Sequence, residues 1–297
     1  MTARKLTTKA IAKSASTYIG RAGEIFYDTA TATLKLSDGS TPGGVVFAGG
    51  SASWPVTNTA GASGPTLIAL GENAGLTTQG VYAVAVGRGA GQTSQGANSV
   101  AIGQKAGETN QDIQSVAVGV HAGQTSQGLS TVAIGGYAGR TSQGNSAVAV
   151  GAGSGGSGQG INAVAVGGGA GLTNQGASAV AIGDDAGYTG QGTYAVAVGG
   201  GAGLTNQGAS AVAIGDDAGY TGQGVNAVAI GKKAGETSQA ANSIIINATG
   251  NALEQTTANT FTVKPVRDAG AASGITAAGF RPCYYNPTTG EVVYAGS

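Results

Sequence analysis

One histidine, His121, and one cysteine, Cys283, are the chain's whole supply of the side chains most often used as neutral-pH bases, nucleophiles or soft metal ligands. No Ser/His/Asp set and no hydrolase-type carboxylate pair accompanies them, so the sequence assigns no catalytic residue, no cofactor and no metal centre. His121 stands in a recurring position that elsewhere holds Lys105, Tyr137 or Asp185, and reads as an exposed corner residue. Cys283, beside Tyr284, reads as a buried small hydrophobe, and a lone cysteine excludes an intrachain disulfide. What remains is contact chemistry. Asp184-Asp185 and Asp216-Asp217 recur 32 residues apart with Gly200-Gly201 between them, an arrangement whose only metal chemistry is weak cation binding. The pairs do not match the Gly-Gly-x-Gly-x-Asp calcium repeat. Tyr82, Tyr137, Tyr188, Tyr194 and Tyr220 are scattered through the same region, and exposed tyrosine is a usual sugar- or protein-contacting side chain. The candidate surface contacts are therefore Tyr137, Asp184, Asp185, Tyr188, Asp216, Asp217 and Tyr220.

These residues are carried by a repeat of Val-Ala-(Ile/Val)-Gly-x-x-Ala-Gly-x-Thr-x-Gln-Gly-x-x-x. Its first glycine falls every 16 residues from Gly71 to Gly231, with Gln eight residues after each, from Gln79 to Gln239. Thr precedes each Gln by two, Ser157 being the exception, and residues 163–192 recur unchanged at 195–224. A unit this short and this rich in glycine does not build a helical repeat. It fits one coil of a parallel β-solenoid, with two short strands joined by Gly-rich corners. Alternation along x-Val-Ala-Ile-Gly puts Val84 and Val86 on one face and Ala85 on the other. Thr93 and Gln95 are expected on a common face of the second strand. Gly87, Gly91 and Gly96 supply left-handed or tight-corner positions, with Asn247 and Asp112 as tolerated replacements. Eleven steps carry the pattern from Gly71 to Asn247, a rod of roughly 50 Å at about 4.8 Å per step. Gln amides stacked in register can bond along its axis.

Composition narrows the classes. Of 297 residues 57 are glycine, 9% are charged and the formal net charge is zero, against averages of about 7% glycine and about 25% charge. Fourteen basic and fourteen acidic residues leave no electrostatic footprint for nucleic acid. Six prolines exclude collagen, regular Val/Ile argues against disorder, and no apolar run is long enough for a transmembrane helix. The basic start lacks a signal-peptide apolar stretch, so use without Sec export is expected. Gly-x-Gly strings occur without the strand–helix setting of a nucleotide site. Thr-x-Gln also departs from the Thr-x-Thr arrays of ice-binding solenoids. All four Phe (Phe26, Phe47, Phe261, Phe280) and Trp54 lie outside the coils, so each coil's core is thin. The expectation is that Val/Ile form that core and that Ala85, Ala101, Ala117 and their successors form a small-residue face on which parallel chains pack.

The Ser99-Val-Ala-Ile-Gly103 and Ala83-Val-Ala-Val-Gly87 units resemble the head repeats of trimeric (YadA-like) autotransporter adhesins, over about residues 67–247. That resemblance implies a left-handed β-roll and a parallel trimer. No heptad stalk or set of membrane strands is seen, which points to a head module on another delivery system. Gly20-Arg-Ala-Gly-Glu-Ile-Phe-Tyr-Asp-Thr with Leu34-Lys-Leu-Ser-Asp-Gly-Ser-Thr-Pro-Gly-Gly44 resembles a β-hairpin module of bacteriophage tail-fibre proteins. Asn242-Ser-Ile-Ile-Ile-Asn-Ala-Thr-Gly250, Phe261–Arg267 and Tyr284–Tyr294 resemble segments that end fibre-like proteins of phages and large viruses.

The expected organisation is an all-β chain. Residues 1–48 form an N-terminal β-hairpin module for virion attachment, in which 1–15 (with Arg4, Lys5, Lys9 and Lys13) are a helix or a docking arm. Residues 49–66, around Trp54, are a Gly/Ser/Pro linker and cap, 67–247 the solenoid, and 248–297 a C-terminal β cap with a hairpin turn at Pro287–Gly290. The resemblance implies a non-enzymatic phage tail fibre, assembled in the host cytoplasm and located in the virion. Its expected partners are two further copies of itself as a homotrimer, other virion or tail proteins through the N-terminal region, and a host surface glycan or outer-membrane receptor, with no nucleic acid and no membrane insertion. The alternatives are a non-adhesive spacer or capsid decoration fibre, and a bacterial trimeric surface adhesin head.

Overall fold

The computed structural model describes residues 9–11, 21–22, 24–28, 33–37, 39–40, 45–48, 67–265, 283–285 and 292–294. The chain divides into two units, 1–57 and 58–297. In the first, Ile25–Asp28 pairs antiparallel with Thr33–Leu36, which pairs antiparallel with Val45–Ala48. Lys9–Ile11 adds a parallel strand on Ile25–Asp28, so these three residues are not the helix that the basic start allowed. The rest of that arm, the Trp54 linker and the Pro287–Gly290 turn lie outside the described residues.

The second unit is a parallel β-solenoid. Thirteen strands, from Ile68–Leu70 to Phe261–Lys264, form one sheet in chain order. Register is set by the repeat: Val84 pairs with Val100, Ala85 with Ala101 and Val86 with Ile102, and so on to Ile230 against Ile246. The sheet continues one strand beyond Asn247, because Phe261–Lys264 pairs in parallel with Ile244–Asn247. Along the second wall, five strands from Thr77–Gln79 to Thr141–Gln143 pair in the same way. Thereafter the wall continues as single bridges, from Thr141–Ser157 to Thr221–Thr237. Among the described residues there is no helix. Cys283–Tyr285 and Val292–Tyr294 form a separate antiparallel pair.

The interior differs from the expectation in one respect that matters for function. Ala85 and its equivalents in every coil are fully buried, while Val84 and Val86 are half-buried and Ile102, Ile134, Ile182 and Ile214 are 40–41% exposed. Alanine therefore faces inward and valine/isoleucine outward, the reverse of the sequence reading. A second alanine column (Ala90, Ala106 and successors) and the glutamines complete the core. The cross-section leaves no more room: a Cβ on Gly107 would sit 2.7 Å from Gln111 Oε1 and 3.3 Å from Ala101 Cβ.

The glutamines do ladder along the axis. Gln127, Gln143 and each successor as far as Gln223 donates Nε2–H to the Oε1 of the next glutamine at 3.1–3.2 Å, and Gln95 does so to Gln111. Each Nε2 also donates to a backbone carbonyl of the Val strand, as Gln159 does to Val148 O at 2.8 Å. This satisfies a buried amide that would otherwise oppose folding.

Two glycine columns are obligatory. Gly87 has φ +124° and a Cβ there would lie 2.6 Å from Gly103 O; Gly91 has φ +51° and faces Gln95 Oε1. Gly96 is needed for close approach alone, since its Cβ would lie 2.5 Å from the Asp112 carbonyl carbon. Asp112 and Asn247 do not replace glycine through left-handed backbone. Asp112 Oδ1 accepts from Ile113 N at 2.7 Å, and Asn247 Nδ2 donates to Lys232 O and Asn251 O.

Candidate functional site

Residues 16 apart form columns, so the second residue after the first glycine of each coil lines one corner of the rod. It adopts left-handed φ whatever its type: Lys105 +57°, His121 +57°, Tyr137 +61°, Asp185 +53°, Asp217 +56°. The residue three further on forms an adjacent column holding Glu108, Gln124, Arg140, Tyr188 and Tyr220. Tyr137, both Asp pairs, Tyr188 and Tyr220 thus share one corner region, whereas Tyr82 and Tyr194 occupy a different column and are 62% and 66% exposed.

The two acidic sites are built alike, as their identical sequence demands. Asp185 folds back over Gly169, and the Tyr188 ring lies 3.3 Å from where a Gly169 Cβ would be. Asp217 and Tyr220 treat Gly201 in the same way, at 2.7 and 3.3 Å. The alternation of Gly-Gly and Asp-Asp coils is thus a packing requirement. The pairs lie two coils apart, about 10 Å at the strand spacing, and Asp216 is taken by Lys232 at 2.7 Å. Among the described residues no group of three or more His, Cys, Asp or Glu is placed to hold a metal ion.

A second cluster escaped the sequence reading. His121 is half-buried, and its ring stacks on Tyr137 with centroids 5.1 Å apart and planes within 3°. The Arg140 guanidinium carbon lies 5.4 Å from the Tyr137 centroid. Arg140 Nε donates to Gln124 Oε1 at 3.2 Å, and Gln124 Nε2 donates to Glu108 Oε2 at 2.6 Å. Lys105 pairs with Glu108 at 3.0 Å. Burial pushes the Glu108 carboxyl up, but the Gln124 amide, the Lys105 ammonium and a smaller contribution from His121 outweigh it and hold the group below its ordinary value. The signal was available as 16-residue spacing between Lys105, His121 and Tyr137 and between Glu108, Gln124 and Arg140. It was not decisive, because spacing aligns residues without showing which way their side chains lean.

The longest continuous surface is the outward Val/Ile stripe of the 13-stranded sheet. Comparison with models of known protein families, with curated proteins and with solved structures finds no match to this chain.

Proposed function

We propose that the chain is a structural, non-enzymatic fibre protein of a phage-like particle. Its solenoid assembles as a parallel homotrimeric rod, its N-terminal region attaches to other virion proteins, and the rod's corner residues contact the host surface. The observation that carries this reading is the Val/Ile stripe: an apolar β-branched surface running the length of the sheet, over an interior of alanine and glutamine. An exposed apolar strip of that length marks an interaction surface, and identical in-register coils make it complementary to a parallel copy of itself. The trimer thus draws on Val/Ile rather than on the alanine face expected from sequence. The number three and the virion setting come from the resemblance of the repeats to adhesin heads and of the flanks to tail-fibre segments.

Sedimentation equilibrium tests the assembly. Three copies of a 28.2 kDa chain give about 85 kDa, and a monodisperse monomer would remove the physical basis of the fibre reading. Binding of the purified protein to host cells then separates a contacting fibre from a spacer.

A further inference from the structure

Both corner columns change character at one coil. After Lys105, His121 and Tyr137 the first column continues with Gly153, and after Glu108, Gln124 and Arg140 the second continues with Gly156. His121 stacks on Tyr137 from the preceding coil, and the following coil carries no side chain in that position. Tyr137 is 49% exposed. Beyond the gap, Leu172 leans back so that its Cδ1 lies 3.4 Å and 2.8 Å from where Cβ atoms of Gly153 and Gly156 would be. The result is a recess floored by glycine backbone, with the Tyr137 ring on one side and a leucine methyl on the other. Its height is about one coil, about 4.8 Å, close to the thickness of a saturated six-membered ring.

The charges beside it are unequal. Glu108 is engaged by Lys105 and Gln124, whereas Arg140 uses its Nε on Gln124 and makes no ion pair among the described residues. Its remaining N–H groups suit a carboxylate. Tyr188 and Tyr220 have no such recess, because their rings lie against Gly169 and Gly201 beside aspartates.

We propose that the recess binds an acidic sugar residue, the apolar face of its ring on Tyr137 and its carboxylate on Arg140. The proposal deepens, and rests on, the reading of the rod as a host-contacting fibre.

Saturation-transfer NMR on the full chain, with methyl glucuronide and methyl glucoside as probes, tests it. The glucuronide is expected to bind in preference to the glucoside. Tyr137→Ala, Arg140→Gln and Gly153→Asp should each weaken it about tenfold or more, while Tyr220→Ala leaves it unchanged. Aspartate is tolerated in the Gly153 position, since Asp185 and Asp217 occupy it in other coils, so loss in that variant reports the filled recess rather than misfolding. No glucuronide signal from the wild-type chain, an undiminished signal in Tyr137→Ala, or equal binding of both sugars would overturn the assignment. Glucuronide binding without attachment to host cells supports the site and overturns the adhesive reading instead.

Discussion

Gln159 donates its side-chain N–H to Gln175 Oε1 at 3.1 Å, one coil along the axis, and accepts from Gln143 at the same distance. A buried polar rail thus runs through an interior otherwise made of methyl groups. Gln159→Leu leaves Gln175 Oε1 without its donor and removes the acceptor of Gln143, at about 1–3 kcal/mol for each buried group left unsatisfied. Gln79 stands at the end of the rail and makes no bond to Gln95, its amide going to Ile68 O and Ala83 O. Gln79→Leu should therefore lower the urea midpoint less than Gln159→Leu, and an equal loss would show that the rail contributes nothing beyond its backbone bonds.

The inward alanine column predicts an asymmetry between neighbours. Ala165 is fully buried and Val164 half-buried. Ala165→Leu overfills the coil and is expected to destabilise by about 1–3 kcal/mol or more, whereas Val164→Leu stays within about 1 kcal/mol in the isolated chain. Chemical denaturation of both variants distinguishes this packing from the reverse one, in which the effects would exchange.

Backbone strain should be removable at one position. Thr78 is a β-branched residue at φ +56° in a column where other coils carry Gly, Asn or Ser. Thr78→Gly is expected to raise stability by up to about 1 kcal/mol, the net of about 1–2 kcal/mol of relieved left-handed strain and the greater freedom of unfolded glycine. Gly107→Ala should do the opposite, combining φ +52° with the close Gln111 oxygen.

The pH dependence follows from Glu108. Its folded-state value lies below the ordinary 4.5, so its contribution to stability is complete above that value and is lost as pH falls through the folded one. Glu254 has the opposite sign: burial, with the nearby Glu236 charge, raises its carboxyl despite the Thr237 N–H, so protonation favours the folded state as pH falls. Glu108→Gln should therefore lose less stability than wild type on acidification, in thermal melts from neutral pH to about pH 3.

If the Val/Ile stripe is the assembly surface, charge placed on it should separate the chains without unfolding them. Ile182 and Ile214 are half-exposed and make no part of the interior. Ile182→Asp with Ile214→Asp is expected to reduce the native mass to that of one chain and leave the β circular dichroism unchanged. An unaltered mass would place the interface elsewhere.

Much of this architecture is present in the one-dimensional pattern. A 16-residue period with glycine, threonine and glutamine in constant positions dictates in-register parallel stacking, because only then does each glycine meet the close approach of the next coil, as Gly87 meets Gly103. The glutamine rail follows from the same register. The corner cluster is less legible: the period aligns His121 with Tyr137 and Gln124 with Arg140, but the stack and the recess over Gly153 depend on side-chain directions at a left-handed corner.

The sequence by itself thus determined the period, the parallel register and the positions that must be glycine, all consequences of backbone geometry repeated without variation. Only the tertiary structure decided which face of Val84-Ala85-Val86 lies inside. Alternation defines two faces and is blind to their order. The choice was made by volume, because the glutamine amide, the glycine Cα and two alanine methyls already fill the coil, and the larger β-branched side chains are left on the outside, where another chain can cover them.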